Sequence, residues 1–527
     1  MVWAARYSWE RQIMRKRSVI LASVLAVTAA AGAAQAEQSQ AWTWCVNEDK
    51  ASPDLQIGGC TSVIQSGRET ARNIAIAFNN RGNAWHAKKD YDRAIADYDQ
   101  AIKLDPKYAR AFYNRGISYG EQGKTDRAIQ DYDRAIELNP QYAHAYGNRG
   151  LAYARKGDLD HAISDYDQAL RSDPDDAVDY NNRGNAYFAR KDYDHAAADY
   201  KEAIKHDPNY ASAYNNLGNA LYAKQDLEGA LLQYSEAIRV DPKYGIAYAN
   251  RGRAFREKGD VDSALDNYMQ ALHFDPDNPR TLNDRGNAYH AKKKYDLAIA
   301  DYTRAIALDR GYAFPYNNRG ITYSDRREYD KAIADYDQAL KIDLKYVDAY
   351  NNRGFAYARK KDWQRAIKDY DEAIALNPDF VRAHNNRARA YEEQNQYGRA
   401  IKDYDRVIRI VPKNGAAWNS RCWARAIVGI DLNGALDDCN ESLHLRPDNA
   451  NTIDSRALVN LKLGDLDAAL ADYDKALALN PKLPTTLYGR GVVKRKKGDA
   501  AGAEADMTAA KALRADVADE WAKYGVK

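Results

Sequence analysis

The sequence predicts an all-α chain built as a long array of stacked helical hairpins, and three observations carry that expectation. Glycine recurs at Gly82, Gly116, Gly150, Gly184, Gly218, Gly252, Gly286, Gly320 and Gly354, 34 residues apart without a slip. Tyrosine is over-used, with 40 Tyr against 8 Phe, as when one residue type fills one recurring slot. At 527 residues the chain is too long for a single ordinary core and must divide into domains or repeats. Charge adds an exclusion. The 78 basic and 75 acidic residues are interspersed and leave a net charge of +3. No basic stripe of the kind nucleic acid demands is present.

The third repeat shows why the period means hairpins. Tyr146, Gly150 and Tyr153 fall at i, i+4 and i+7, one stripe of a first helix, and Ala162, Tyr166 and Ala169 make the same stripe on a second. Small residues let the two backbones approach while tyrosines fill the gaps beside them. Gly157 marks the turn between the helices and Pro174 stops the second. Each hairpin leaves an apolar face open, so neighbours must stack into a superhelix. The register runs on through Ala388 and Cys422, slips by one residue near Gly434 and resumes at Ala457 and Gly491. That gives thirteen repeats over residues 75–517.

The ends differ from the array. Arg11, Arg15, Lys16 and Arg17 precede an apolar stretch from Val19 to Ala34, and Ala34-Gln35-Ala36 offers a cleavage site. The stretch is shorter than the roughly 20 residues a spanning helix needs, so residues 1–36 read as a Sec-type signal peptide, with Met14 an alternative start. No later segment is apolar enough to span a membrane, and the mature chain is expected in the periplasm or outside the cell. Residues 37–74 read as a degenerate N-terminal cap or half repeat. From Arg514 onward, Val517, Trp521 and Tyr524 stand at helical spacing, so 518–527 reads as the end of a C-terminal capping helix. Four cysteines in an exported chain predict two local disulfides, Cys45–Cys60 and Cys422–Cys439, against the alternative of small buried thiols. No C-x-x-C or histidine cluster accompanies them, so no metal is expected.

With these residues in view, the chain resembles the tetratricopeptide repeat proteins over residues 75–517. The run N-x-R-G, then Ala-Ile, then Asp-Tyr-Asp is similar to bacterial members, and Arg421-Cys422-Trp423-Ala424-Arg425 with Asp438-Cys439-Asn440 is similar to a variant in exported ones. The resemblance implies a right-handed superhelical solenoid. Arg310 and Leu344 replace the helix-stopping proline of repeats seven and eight, which predicts softer or differently angled junctions there.

Two polar slots recur. Arginine precedes the glycine slot in twelve of thirteen repeats, and aspartate precedes the second-helix packing residue in eleven. Where Leu217 replaces the arginine, Gln233 replaces the aspartate, which predicts pairing inside each repeat: Arg81 with Asp97, Arg115 with Asp131, Arg149 with Asp165, Arg183 with Asp199. The second slot holds Asn80, Asn114, Asn148, Asn182, Asn216, Asn250, Asn318, Asn352 and Asn386, interrupted by Asp284. It lies about 200° from the packing tyrosine and faces away from the repeat core. The series resembles the asparagine ladder of the O-linked N-acetylglucosamine transferase superhelix, which implies an inner groove that holds an extended peptide by its backbone. The alternative is bonding to neighbouring helices or to water. The slot decays to Ser420, Ser455 and Gly489, where the groove is expected to end. Arg110, Arg253, Arg280, Arg382 and Arg389 are placed on the same side, favouring acidic segments.

The expected function is a non-enzymatic scaffold that binds extended segments of envelope proteins in the groove of repeats one to ten. A structural or assembly subunit of an envelope polymer-export or outer-membrane machine is the alternative. An enzyme subunit is disfavoured, because the nine histidines are scattered and the acidic residues are locked to the repeat. No cofactor is implied.

Overall fold

A computed structural model describes residues 36–37, 39–47 and 50–526. The basic region, the apolar stretch and most of the expected cleavage site lie outside the described residues. Among the described residues all regular secondary structure is helical. Helix α1 covers 39–46 and α2 covers Pro53–Gln65; α3 (Ala71–Ala87) and α4 (Tyr91–Leu104) form the first hairpin of the array. Twelve more hairpins follow, the last being Pro484–Lys496 with Ala500–Leu513, and a short helix closes the chain at Val517–Ala522. The hairpins are numbered one to thirteen below. Two compact units divide them, one up to Asp260 and one from Val261.

Local chemistry sets where each helix begins and ends. The second helix of many repeats starts on an aspartate whose carboxylate accepts the third residue's N–H, as at Asp90, Asp158, Asp192 and Asp226. The tight turn before it needs one left-handed residue. Gly123 (φ 73°) and Gly157 (φ 81°) supply it in repeats two and three, while Lys89, Lys191, Lys293 and Lys361 take the same conformation elsewhere. Most second helices end on Asp or Asn, with Val411, Arg446 and Arg514 in that place in repeats ten, eleven and thirteen. The helices ahead of Arg310 and Leu344 end as in the proline-bearing repeats. Both helices stop at the usual residue, with the N–H of Asp309 bonded to Ala305 O and that of Asp343 to Ala339 O. The Asp309 and Asp343 carboxylates then accept the N–H of Gly311 and Lys345. The same Asx turn forms beside the prolines of other repeats, as at Asp105 and Asp207, so it shapes the helix end with or without proline.

The glycine slot is a contact surface for tyrosine. A methyl group on Gly82 would lie 2.6 Å from Tyr98 Cε1, and one on Gly184 would lie 2.7 Å from Tyr200 Cε1. The ring therefore lies against the bare backbone of the first helix. Tyr98, Tyr166, Tyr200, Tyr234 and Tyr302 are fully buried. In repeats one, four, five and seven the buried hydroxyl donates to Asn83, Asn185, Asn219 or Asn287 at 2.8–2.9 Å. In repeat eleven Cys422 stands in the glycine slot and Cys439 in the tyrosine slot, and a disulfide joins them.

At the N-terminus Cys45 of α1 and Cys60 of α2 are disulfide-bonded. They pack with Ala41, Val63 and Ala77, so the cap is a short complete hairpin rather than half a repeat. Helix α3 begins at Ala71, four residues ahead of the repeat register, because the Thr70 hydroxyl caps it there. At the C-terminus the closing helix is six residues long and does not run on to the chain end.

Candidate ligand groove

Each conserved-looking polar slot of the repeat has a definite place in the stack. The arginines grip aspartates across the hairpin in a bidentate fork. Arg81 Nε and Nη2 donate to Asp97 at 2.8 and 2.7 Å, and Arg115 to Asp131 at 2.8 and 2.6 Å. Arg149 holds Asp165 at 2.8 and 2.6 Å, and Arg183 holds Asp199 at 2.9 and 2.6 Å. The aspartates are buried. Burial pushes Asp131, Asp165 and Asp199 above the ordinary carboxylate value while the guanidinium pulls them back, and Arg115, Arg149 and Arg183 are held firmly protonated by two carboxylates each.

The second of those carboxylates was not foreseen. Nη1 of Arg115, Arg149 and Arg183 donates at 2.6 Å to Asp99, Asp133 and Asp167 of the preceding repeat. The Asp-Tyr-Asp motif thus has two jobs: its first aspartate closes its own hairpin, and its second receives the next repeat's arginine. Arg251 and Arg319 reach Ser235 and Thr303 instead. Within each hairpin the aspartate is buried, and removing one partner of that pair costs about 3–5 kcal/mol; the aspartates that join one repeat to the next are partly exposed, and solvent screens those pairs.

The asparagine slots are half-buried, Asn250 excepted, which is buried. Their amides are rungs between consecutive first helices. Asn114 Nδ2 donates to Asn79 Oδ1 at 2.9 Å and Asn148 Nδ2 to the Tyr113 hydroxyl at 2.8 Å. Asn216 donates to Asn181 at 3.0 Å and Asn250 to Asn215 at 2.8 Å. In the second unit Asn318, Asn352 and Asn386 donate to Asn283, Asn317 and Asn351 at 3.0, 3.1 and 2.9 Å. Asn80 Oδ1 accepts from Asn79. Asp284 is half-buried in the same slot, and among the described residues the side chain of Asn182 makes no hydrogen bond. Apart from Tyr113, the acceptors in these rungs are buried asparagines one position before the slot, visible in the sequence as an Asn-Asn doublet or, at Asn283, as Asn-Asp. Bonding to neighbouring helices uses one N–H of each such amide and leaves a second, except at Asn216, whose amide also donates to Asn185 at 3.2 Å.

In repeats nine to eleven this face opens into a cleft of about 390 Å³. Asn352, Asn386 and Ser420, three consecutive ladder slots, line it together with Phe355, Arg382 and Arg389. Arg382 stacks on Phe380 and pairs with Asp348 at 2.5 Å. Beside the lining Tyr404, burial lifts the Glu392 carboxyl to about 7 against the pull of Tyr404 and Arg389. Arg253 hydrogen-bonds its ladder neighbour Asn250 in the first unit.

In repeats eleven to thirteen the equivalent positions are covered by the chain's own C-terminus. Trp521 Nε1 donates to Thr485 O at 2.9 Å, and a methyl on Gly489 would lie 2.6 Å from the Trp521 ring. Tyr524 meets Trp423 edge-on at 5.2 Å. Thr485, Gly489 and Trp423 hold the places on their helices that Arg382, Asn386 and Arg389 hold in the cleft. Val517, Trp521 and Tyr524 are all buried.

Models of the tetratricopeptide repeat match residues 113–177, 279–312, 347–380 and 381–414, and models described as TPR repeat match 82–123, 184–225, 218–255, 252–293, 323–361 and 457–498. Together these span more than half of the chain. The chain belongs to the tetratricopeptide repeat family. It is a repeat scaffold of the kind that binds other proteins. No curated protein sequence matches it. Among solved structures it is similar to the Cut9–Hcn1 hetero-tetramer of APC/C, at 14% identity over 86% of this chain and 96% of that one, with a TM-score of 0.44. Yeast Tom70 matches at 17% identity over 82% and 100%, TM-score 0.38. YrrB, titled a TPR protein with an unusual peptide-binding site, matches at 26% identity over 36% and 96%, TM-score 0.30.

Proposed function

We propose that this tetratricopeptide repeat protein is a non-enzymatic scaffold that holds extended segments of other envelope proteins on the inner face of its first helices. One observation carries the proposal. The face that stands open as a polar cleft in repeats nine to eleven takes a polypeptide in repeats eleven to thirteen, namely the chain's own residues 517–524. A ligand strand would meet the second N–H of Asn352 and Asn386, with Phe355 offering apolar contact and Arg389 a cation. The compartment is part of the same reading. Export by the N-terminal signal, cleaved after Ala36, would deliver the chain to the periplasm or beyond, where disulfides persist.

Site-specific photo-crosslinking tests it. With the crosslinking amino acid at Phe355 or Arg389, a partner from an envelope extract should be captured, and peptide mapping should place one extended segment in the cleft. Lys368, exposed on the second helix of repeat nine, is the control. Capture from Lys368 alone would sink the groove reading and favour assembly through the outer face.

A further inference from the structure

One place on the ladder is built differently from the rest. At the third position of the first helix the repeats carry small residues: Ala77, Ala111, Ala145, Ala213 and Ala247, all fully buried. Repeat four has Asp179 there, 7% exposed. Its carboxylate fits because the neighbouring rung position, an acceptor asparagine at Asn79, Asn181 and Asn215, is Gly147 in repeat three. A methyl group on Gly147 would lie 2.6 Å from Asp179 Oδ1 and 2.9 Å from Oδ2. The carboxylate is therefore aimed into the notch that the missing side chain leaves. Above it Asn182, whose amide would have bonded to a residue at 147, makes no side-chain hydrogen bond among the described residues.

Among the described residues nothing neutralises this carboxylate. The groups that bear on it are the Asp173 and Asp176 carboxylates and the hydroxyls of Tyr113 and Tyr166, with no lysine or arginine among them. Its oxygens accept no side-chain hydrogen bond among the described residues. Burial with those neighbours raises it to about 7. A buried acid without a partner is costly and is retained where something outside the fold supplies the partner.

We propose that Asp179, whose carboxylate occupies the Gly147 notch, receives the ammonium or guanidinium group of a lysine or arginine side chain on a bound peptide. Asn182, three residues further along the same helix, offers its side-chain carbonyl as a second acceptor, so repeat four reads one basic residue of the ligand. The inference rests on the groove reading and adds a side-chain preference to it.

The test starts from a random peptide library displayed against the immobilised full chain at pH 8. Selected peptides are resynthesised with each Lys or Arg changed to Gln and measured by fluorescence anisotropy. The receptors are the unaltered chain, Asp179→Asn, and Asp179→Ala, which restores the residue of the other repeats. The expected result is one basic residue whose change to Gln weakens binding at least tenfold to the unaltered chain and less than twofold to either variant. Both variants should melt no lower than the unaltered chain, so a loss of binding is not a loss of fold. Peptides that bind all three receptors alike would overturn the inference and leave the groove reading standing. Failure to select any peptide would remove both.

Discussion

Repeats nine and ten and repeats twelve and thirteen carry the same hairpin, yet they treat the same helix face in opposite ways. In the former the ladder slots are Asn352 and Asn386 and the face is open; in the latter they are Ser455 and Gly489 and the face is covered. The identity of the slot residue follows from what must fit above it. A side chain at 489 would collide with both Trp521 and Tyr473, each 2.6 Å from a methyl placed there. At Gly489 the loss of asparagine is thus clearance for the C-terminal segment, whereas Ser420 stands in the open cleft. The loss does not mark the place where the repeat face ends, because that face continues beneath residues 517–524.

The largest effect that can break this comparison is Trp521→Ala. Truncating a buried tryptophan costs about 3–5 kcal/mol, and here the loss should fall on the last repeats. Hydrogen exchange across Pro484–Lys496 is the measurement, with melting of the whole chain beside it. Faster exchange in that helix, with repeats nine and ten unchanged, is expected. Unaltered exchange would mean that the closing helix does not hold the face.

The disulfide of repeat eleven comes next. Cys422 and Cys439 replace the glycine–tyrosine contact of the other repeats, so two solutions of one packing problem stand side by side. Reducing the bond, which closes a 17-residue separation, should cost about 3 kcal/mol. The double change Cys422→Gly with Cys439→Tyr should recover most of that loss in reducing buffer, whereas Cys439→Tyr alone should not. Urea unfolding of each chain distinguishes them. A double variant no better than the reduced parent would show that the slots are not equivalent.

A smaller effect depends on pH. Asp454 lies beneath the closing helix, near Thr486, Tyr473, Tyr524 and Glu520, and burial raises its carboxyl from 3.8 to about 6. The folded state therefore keeps a proton that the unfolded chain has already released. Its contribution is full below pH 3.8 and is lost as pH rises through 6. Asp454→Asn should flatten this dependence and stabilise the C-terminal repeats on the order of 2 kcal/mol at pH 7. Trp521→Ala should flatten it too, because it lets water reach the carboxyl. Stability curves at pH 4, 5, 6 and 7 check both.

The hairpins were legible because every one repeats the same small-residue and tyrosine stripe, so the sequence averages out its own exceptions. The intra-repeat arginine–aspartate pairs could be read from one exception, the joint change at Leu217 and Gln233. Contacts between repeats were not legible in the same way. A helical wheel placed Asn352 and its equivalents away from their own hairpin, but it carries no information on the preceding helix, which supplies Asn317 and its equivalents as acceptors. The second aspartate of Asp-Tyr-Asp was passed over for the same reason. The capping helix was legible from the helical spacing of Val517, Trp521 and Tyr524, but its reach back to Trp423 of repeat eleven was not, since residues 517–524 occur once.

That last distinction sharpens into the smallest prediction. If asparagine in the open region served a ligand alone, Asn352→Ala would leave stability untouched. The rung geometry says otherwise: Asn352 Nδ2 donates at 3.1 Å to Asn317, a buried side chain, and removing the donor strands its oxygen. Asn352→Ala should therefore cost about 1 kcal/mol. Ser420→Ala, whose hydroxyl lines the cleft without bridging two first helices, should stay within about 0.5 kcal/mol. Chemical denaturation of the two variants resolves the difference. Equal costs would mean that the rung is not formed in solution, and the amides of the cleft would then be wholly available to a ligand. Unequal costs in the stated order mean that a ligand strand meets asparagines already fixed in direction by the stack. Their second N–H groups would then be held pointing at the cleft before the ligand arrives, so less ordering entropy opposes binding.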